Sequence, residues 1–549
     1  MTIAETILKR LTQFPTQLFL IVIGALLFLP LLGTVHLFDW DEINFAESAR
    51  EMLLTHNYRQ VQINFQPFYE KPPLFIWLQA LSMKYFGVNE FAARLPNAIC
   101  GIITMLVVFN AGRHVFKSQL GVLWALLFGC SILPHVYFRS GIIDPVFNLF
   151  IFLGLYNLYL ASVINEFEPY KSQKRKQKWH LLLSGIFTGL ATLTKGPVAI
   201  LLIFVTGTVY LIANRGKLKI GAMQAFTWLL IVTLVIVAWL SFEIRANGIK
   251  FLNEFITYQI RLFQTQDAGH GGPIFYHFVV LLLGVFPASA LVFYSFKKNE
   301  HDSDTQANFK KWMIYLLCTV LVVFSVVNTK IVHYSSLCYF PITFLAAYYL
   351  NYLFDNKAKW TWVQTAPLMA IGLSITCALT VGILLVQRQH YFLPYVKDEF
   401  AKACLQAIVY WSDADTAIAA VYLICIMIAT MLIQTKHVKW AVYMLLISSA
   451  VFISTMMALV VPRVEKYSQA ALIEFLQSKQ NENCIIEPAG FKSYAHYFYA
   501  RKPEHLQVDS TTKTYLITKV TNADGLDKWY GNVEELYRKN GWVFFELKK

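Results

Sequence analysis

The sequence predicts a polytopic α-helical membrane protein with a small α/β domain at its C-terminal end. Three observations predict it. Of the 549 residues, 56% are hydrophobic and 15% charged, where an ordinary soluble domain carries about 25% charged residues. Apolar runs suited to a membrane helix of about 20 residues recur along most of the chain. They comprise Thr16–Val35 and runs starting near Phe91, Leu120, Ile142, His180, Pro197, Ala222, Tyr276, Trp312, His333, Trp360, Ala417 and Val438, thirteen in all. From about residue 465 the chain turns polar and its apolar residues follow shorter, strand-like patterns.

The first run is long and lacks a small-residue cleavage site, so it reads as an anchor rather than a signal peptide. Charge then orients the rest. The formal excess is +14, which on a soluble chain would suggest a nucleic-acid partner. With the N-terminus inside, the inner segments hold Lys9, Arg10, Arg113, Lys117, the run KSQKRKQK at 171–178, Arg215, Lys217, Lys219, Lys297, Lys298, Lys310, Lys311, Lys357, Lys359, Lys436 and Lys439. Those segments total 20 basic and seven acidic residues, and the remaining outer segments are close to neutral. The excess is therefore a topology signal, and no nucleic-acid partner is needed to explain it. The expected topology has the N-terminus on the inner side of the membrane and the outer segments and C-terminal domain on the other.

Three outer segments stand out, at Leu37–Glu90, Glu243–Phe275 and Gln387–Asp415. The first contains EINFAESAREMLL, whose Ile43, Ala46, Ala49, Leu53 and Leu54 fall near helical spacing. That predicts an amphipathic helix lying along the membrane surface. A second amphipathic segment, Pro72–Phe86, starts at two prolines that fix the backbone. The tail reads as strands at Cys484–Ile486, Thr514–Thr518 and Trp542–Leu547 and helices at Gln469–Gln477 and Val533–Lys539. The expected division is residues 1–464 and 465–549. The eight cysteines form no CxxC pair, and only Cys404 and Cys484 lie in polar segments, where a disulfide is compatible with the spacing.

The first loop also holds the candidate chemistry. Asp39, Asp41 and Glu42 stand at its start. Such carboxylates either cap the following helix or take a proton from, or orient, an acceptor hydroxyl at the membrane boundary. Glu70 and Lys71 precede the two prolines. They read as an ion pair at a helix mouth, or Lys71 as a point charge for a lipid phosphate.

These residues carry a resemblance. DE-x-x-x-AE-x-x-REML, then YEKPPL-x-x-W and FGVNEFAARLPNA, resemble the bacterial aminoarabinose transferases and the wider protein O-mannosyltransferase-like group of the GT-C glycosyltransferase superfamily. Weaker matches follow in order at RSGIIDP, TKGP, AGHGGP with LLLGVFP, and TKIVHYSSLCYFP. The resemblance implies a GT-C fold of about 13 membrane helices, two amphipathic helices in the first outer loop and a small periplasmic domain.

It also implies an inverting glycosyltransferase, moving a hexosyl or pentosyl unit from a polyprenyl (undecaprenyl) phosphate donor to an acceptor at the outer face. Lipid A is the leading acceptor, and a protein or cell-envelope glycan is the alternative. From another class, a lipid flippase or transporter remains in play, although such proteins tend to place their polar groups near the bilayer midplane.

Carried over residue by residue, the resemblance gives Asp41 as the principal carboxylate, with Glu42 beside it, Asp39 in reserve and Asp144 as a third catalytic candidate that would orient an acceptor or fix Arg139. Lys71, Arg261, Lys330, His333 and Tyr334 would bind the donor phosphate or sugar, with Lys195 a weaker candidate. Glu70 and His270 match positions that hold a divalent metal (zinc, magnesium or manganese), a thin ligand set for zinc.

Overall fold

The computed structural model describes residues 3–163, 170–214, 220–264, 271–297, 300–355 and 360–548. His270 and the basic residues Arg215, Lys217, Lys219, Lys298, Lys357 and Lys359 fall outside them.

All thirteen apolar runs are helical. Among the described residues eight helices are long and apolar enough to span a bilayer on length and composition, or nine if Tyr276–Gly284 and Ala288–Ser295, which meet at 112°, are one broken span. Pro15–Phe28, Ser118–Gly129 and Val198–Ala213 are shorter apolar helices. Tyr170–Lys195 starts with the basic run, which dilutes its hydropathy. The chain is a multi-pass helical membrane protein.

Burial sorts the helices into layers. In Val332–Phe354, 94% of the apolar window is buried, and this segment forms the centre of the bundle. Trp124 packs edge-on against the segment's own Phe344 and against Phe152 and Phe309, and its indole donates to Thr343 Oγ1 at 3.1 Å. Ala222–Arg245 is only 11% buried. It exposes Phe226, Leu230, Leu234 and Val237, a face whose natural solvent is lipid.

Segments read as inner from their charge touch one another. Lys117 pairs with Asp355 at 2.5 Å, Gln306 donates to the Val115 carbonyl, and Lys310 donates to the Lys297 carbonyl. The inner segments read from charge thus meet at one end of the bundle.

At the other end lie the first outer loop and the tail. The loop contains helices Asp41–Thr55 and Leu74–Phe86, as expected, but the first does not float on a surface. Every residue from Glu42 to Met52 is buried, because the tail covers the face that an isolated amphipathic helix would show to water. Arg50 donates to the Lys502 carbonyl at 2.9 Å, Tyr499 Oη accepts from Leu37 N at 2.6 Å, and Arg501 donates to the Val88 carbonyl at 2.6 Å. The helix is flanked at its start by Trp40, with no side-chain cap, so the capping role expected of Asp39 or Asp41 is not what those carboxylates do.

The tail forms a four-stranded sheet in the order Cys484–Pro488, Lys513–Lys519, Trp542–Leu547, Val533–Lys539, with the first pair parallel and the others antiparallel. Helix Ala470–Ser478 packs on it through Phe475 against Phe544. Val533–Lys539, expected as a helix, is an edge strand. Its residues are helix formers, but Asn540 and Gly541 both take positive φ, 49° and 82°, the two-residue hairpin geometry that returns the chain antiparallel. Cys404 and Cys484 are both free thiols, and Cys404 Sγ points at the Asn540 carbonyl instead.

Candidate active site

A cavity of about 660 Å³ opens where the first outer loop meets the helix ends. Its residues come from widely separated segments. Asp41 and Asn44 begin the first loop helix, Glu70 and Lys71 precede the second, and Asp144 and Phe147 lie in the first turn of Asp144–Ser162. Lys195 ends one helix, Val198 begins the next, and His333 and Tyr334 stand in the first turn of Val332–Cys338. Tyr258 and Arg261 come from Lys250–Gln264, and Lys492 comes from the C-terminal domain.

The carboxylates divide into two kinds. Asp41 is partly exposed to the cavity, with 30% of its side chain accessible. His333 Nε2 stands 3.9 Å from Asp41 Oδ2 and also 3.9 Å from Asp144 Oδ2. Asp144 is buried, at 2% exposure. Its Oδ1 pairs with Lys195 Nζ at 2.5 Å, and its Oδ2 has no hydrogen-bond partner among the described residues. The histidine therefore stands between a carboxylate open to the cavity and a buried one fixed by a lysine, whose second oxygen is left without a hydrogen bond among the described residues.

Cations gather on Tyr258. Lys71 Nζ is 3.4 Å from Tyr258 Oη, and Arg261 lies 5.2 Å from the same ring centroid. Burial opposes the charge on Lys71, but Tyr258, Asp41, Tyr334 and Glu70 outweigh it and hold the pKa above the usual lysine range. Lys71 is thus a firmly charged ammonium beside a guanidinium, the pairing of a point charge and a planar fork that suits a phosphate.

Seven of the expected residues meet here: Asp41, Glu70, Lys71, Asp144, Arg261, His333 and Tyr334. Lys195, the weaker candidate, is also present, as the partner of Asp144. Other expected residues go elsewhere. Glu42 is buried in a fork with Arg94 (2.8 and 2.9 Å) and accepts from Phe38 N and Gly141 N, so it builds the loop beneath the site. Lys330 turns away and donates to the carbonyls of Phe324, Ser325 and Val327 at 3.1, 2.7 and 2.6 Å, closing the end of helix Asp304–Val326. Gly272 of the AGHGGP run lies so close that a Cβ there would meet Lys330 Cγ at 3.1 Å. Arg139 donates to the Pro30 carbonyl rather than to Asp144.

Glu70 lines the cavity, while its expected metal partner His270 lies outside the described residues. Among the described residues no group of three or more His, Cys, Asp or Glu side chains is arranged to hold an ion. Tyr258, Asn148 and Lys492 went unnoticed in the sequence because none lies in one of the recognisable runs.

A boundary cavity built from helix ends, a two-helix outer loop and a small capping domain make up a multi-pass membrane protein with a pocket at its loop-bearing end. The comparisons agree. The family model for dolichyl-phosphate-mannose-protein mannosyltransferases matches residues 70–242. The sequence is similar to the undecaprenyl phosphate-alpha-4-amino-4-deoxy-L-arabinose arabinosyl transferase of Wigglesworthia glossinidia brevipalpis, 25% identical over 381 residues, which are 68% of this chain and 65% of that protein. The chain thus aligns with just under two thirds of that relative's length.

In fold, it superposes on ArnT from Cupriavidus metallidurans bound to undecaprenyl phosphate with a TM-score of 0.74 at 16% identity, covering 97% of this chain and 98% of that one. The archaeal oligosaccharyltransferase AglB of Archaeoglobus fulgidus follows at 0.51 and 11%, covering 97% and 74%. The family model and the curated relative match in sequence, and the two solved structures match in fold.

Proposed function

We propose that the chain is an inverting glycosyltransferase that moves a sugar, 4-amino-4-deoxy-arabinose, from undecaprenyl phosphate to lipid A at the periplasmic face of a bacterial inner membrane. The observation that carries the reading is the pairing, in one boundary cavity, of an accessible carboxylate, Asp41, with the Lys71–Tyr258–Arg261 cluster. The relatives' names supply the sugar and the lipid carrier. The basic segments meet at the opposite end of the bundle, which supports a periplasmic site through the positive-inside rule. The polar groups sit at helix ends rather than mid-helix, which favours an enzyme over a flippase.

The chemistry follows from the residues. An acceptor oxygen attacks the anomeric carbon from the face opposite the phosphate. The bond from that carbon to the phosphate oxygen breaks, and undecaprenyl phosphate leaves with the electron pair. Lys71 and Arg261 stabilise the charge gained by the leaving phosphate. Asp41, with His333 beside it, positions the acceptor. For a hydroxyl acceptor it also receives the proton, whereas a phosphate acceptor is already ionised and needs orientation alone. Asp144, held by Lys195, fixes the donor sugar.

The family model matched in sequence favours one other acceptor, a protein hydroxyl. Mass spectrometry of envelope lipids and glycoproteins, with and without the gene, separates the two. An aminoarabinose increment on lipid A supports the proposal, and an increment confined to proteins transfers it to the second acceptor.

A further inference from the structure

The C-terminal domain reaches into the cavity at one point. Lys492 puts its Nζ 4.7 Å from the Trp40 ring centroid and 5.7 Å from that of Tyr494, and the two rings lie 5.0 Å apart. The neighbouring Ser493, 5% exposed, engages the Asp39 carboxylate and accepts from Ala495 N at 3.1 Å. Trp40 is itself clamped by Asn44, whose amide accepts from the indole N–H at 2.7 Å and donates to the Trp40 carbonyl at 3.1 Å. A cation of the tail is thus held against the residue that precedes Asp41.

This cation differs from the others in the cavity. Lys71 and Arg261 share Tyr258, and Lys195 is paired with Asp144. Among the described residues Lys492 makes no ion pair, and it rests on aromatic faces instead. Contact with a ring holds an exposed ammonium and does not neutralise it, so its charge is left for an anion. A transfer reaction has two substrates to recognise. The Tyr258 cluster suits the phosphate of the donor, and a separate cation mounted on a separate domain suits a second anion.

We propose that Lys492 is a specificity-determining residue that binds a phosphate monoester on the acceptor, so that the C-terminal domain selects acceptors carrying one. The proposal rests on the transferase reading above, but its test does not require turnover.

The full-length protein in lipid nanodiscs is titrated with bis-phosphorylated lipid A, with the same lipid after enzymatic dephosphorylation, and with undecaprenyl phosphate. In Lys492→Gln, lipid A should bind about tenfold more weakly, the cost of one solvent-exposed charge-assisted contact. Dephosphorylated lipid A and undecaprenyl phosphate should bind as they do to the wild type. Lys492→Arg should restore lipid A binding to within about threefold, since it keeps the charge. In turnover the acceptor KM should rise while kcat holds.

Three results would overturn the assignment. One is equal weakening of undecaprenyl phosphate, which makes Lys492 part of the donor site. Another is equal weakening of both lipid A forms, which makes its role one of packing. The third is no change, or a wild type that does not distinguish the two lipid A forms. A wild type that binds as expected yet transfers no sugar would instead count against the transferase reading and leave the assignment of Lys492 standing.

Discussion

His333 Nε2 stands 3.9 Å from the Asp41 carboxylate, at the start of a helix whose apolar length is almost wholly buried in the bundle. The most buried of the candidate spans among the described residues therefore presents the group that faces an accessible carboxylate of the cavity. Asp41 starts a helix buried from Glu42 to Met52, so both groups stand on packed elements.

Adjacent carboxylates should separate by readout. Glu42 is held by Arg94 and two backbone amides, whereas Asp41 faces the cavity. Breaking a buried ion pair leaves an uncompensated charge and costs about 3–5 kcal/mol. Glu42→Ala should lower the thermal unfolding midpoint strongly, and Asp41→Asn should leave it close to wild type. Denaturation in detergent, followed by fluorescence, checks both.

Asp144 and Lys195 should behave as a unit. Lys195→Met leaves a buried carboxylate without its 2.5 Å partner. It should destabilise the protein by about 3 kcal/mol or more, while the double variant with Asp144→Asn recovers much of that loss. A double-mutant cycle on stability measures the coupling, and transfer should remain low in all three variants, since the proposed reaction assigns the donor sugar to Asp144.

Lys330 should prove structural. Its three carbonyl contacts close a helix end, so Lys330→Met should cost about 1–3 kcal/mol of stability. Affinity for undecaprenyl phosphate, measured by titration into the folded variant, should stay within about twofold, whereas Lys71→Met should lose it.

Stability should fall as pH rises, and Glu51 should be one source. Burial, followed by the neighbouring Glu47, pushes the Glu51 carboxyl up to about 8, against the opposing pull of the Phe65 and Asn64 amides. A carboxyl whose pKa is higher folded than unfolded binds more protons in the folded state between those two values, so folding stability declines from roughly pH 4.5 through about 8. Glu51→Gln should flatten that slope whatever its effect on the baseline, as unfolding midpoints taken across pH 5–8 will show.

Much of this was legible in the sequence because the chemistry sits in compact runs. YEKPPL, RSGIIDP and TKIVHY each carry site residues, and the structure brings them to one cavity. Lys330 lies in such a run and points elsewhere, because side-chain direction at a helix end is decided by which carbonyls need a donor. The buried face of Asp41–Thr55 was hidden because the element that covers it arrives more than 400 residues later, through Lys502 and Tyr499. Val533–Lys539 has helix-forming residues yet is a strand, because the Asn540–Gly541 turn pairs it with Trp542–Leu547. Tyr258 and Lys492 left no trace, since a lone aromatic or lysine has no pattern of its own.

Sugar transfer by purified protein tests the central claim most directly. The wild type, in lipid with undecaprenyl phosphate-aminoarabinose and lipid A, should yield lipid A heavier by one aminoarabinose residue in mass spectrometry. Asp41→Asn and Lys71→Ala should each reduce the initial rate by about 100-fold or more while remaining folded. Wild-type rates in both variants, or a wild type that transfers nothing to lipid A or to protein, would contradict the account.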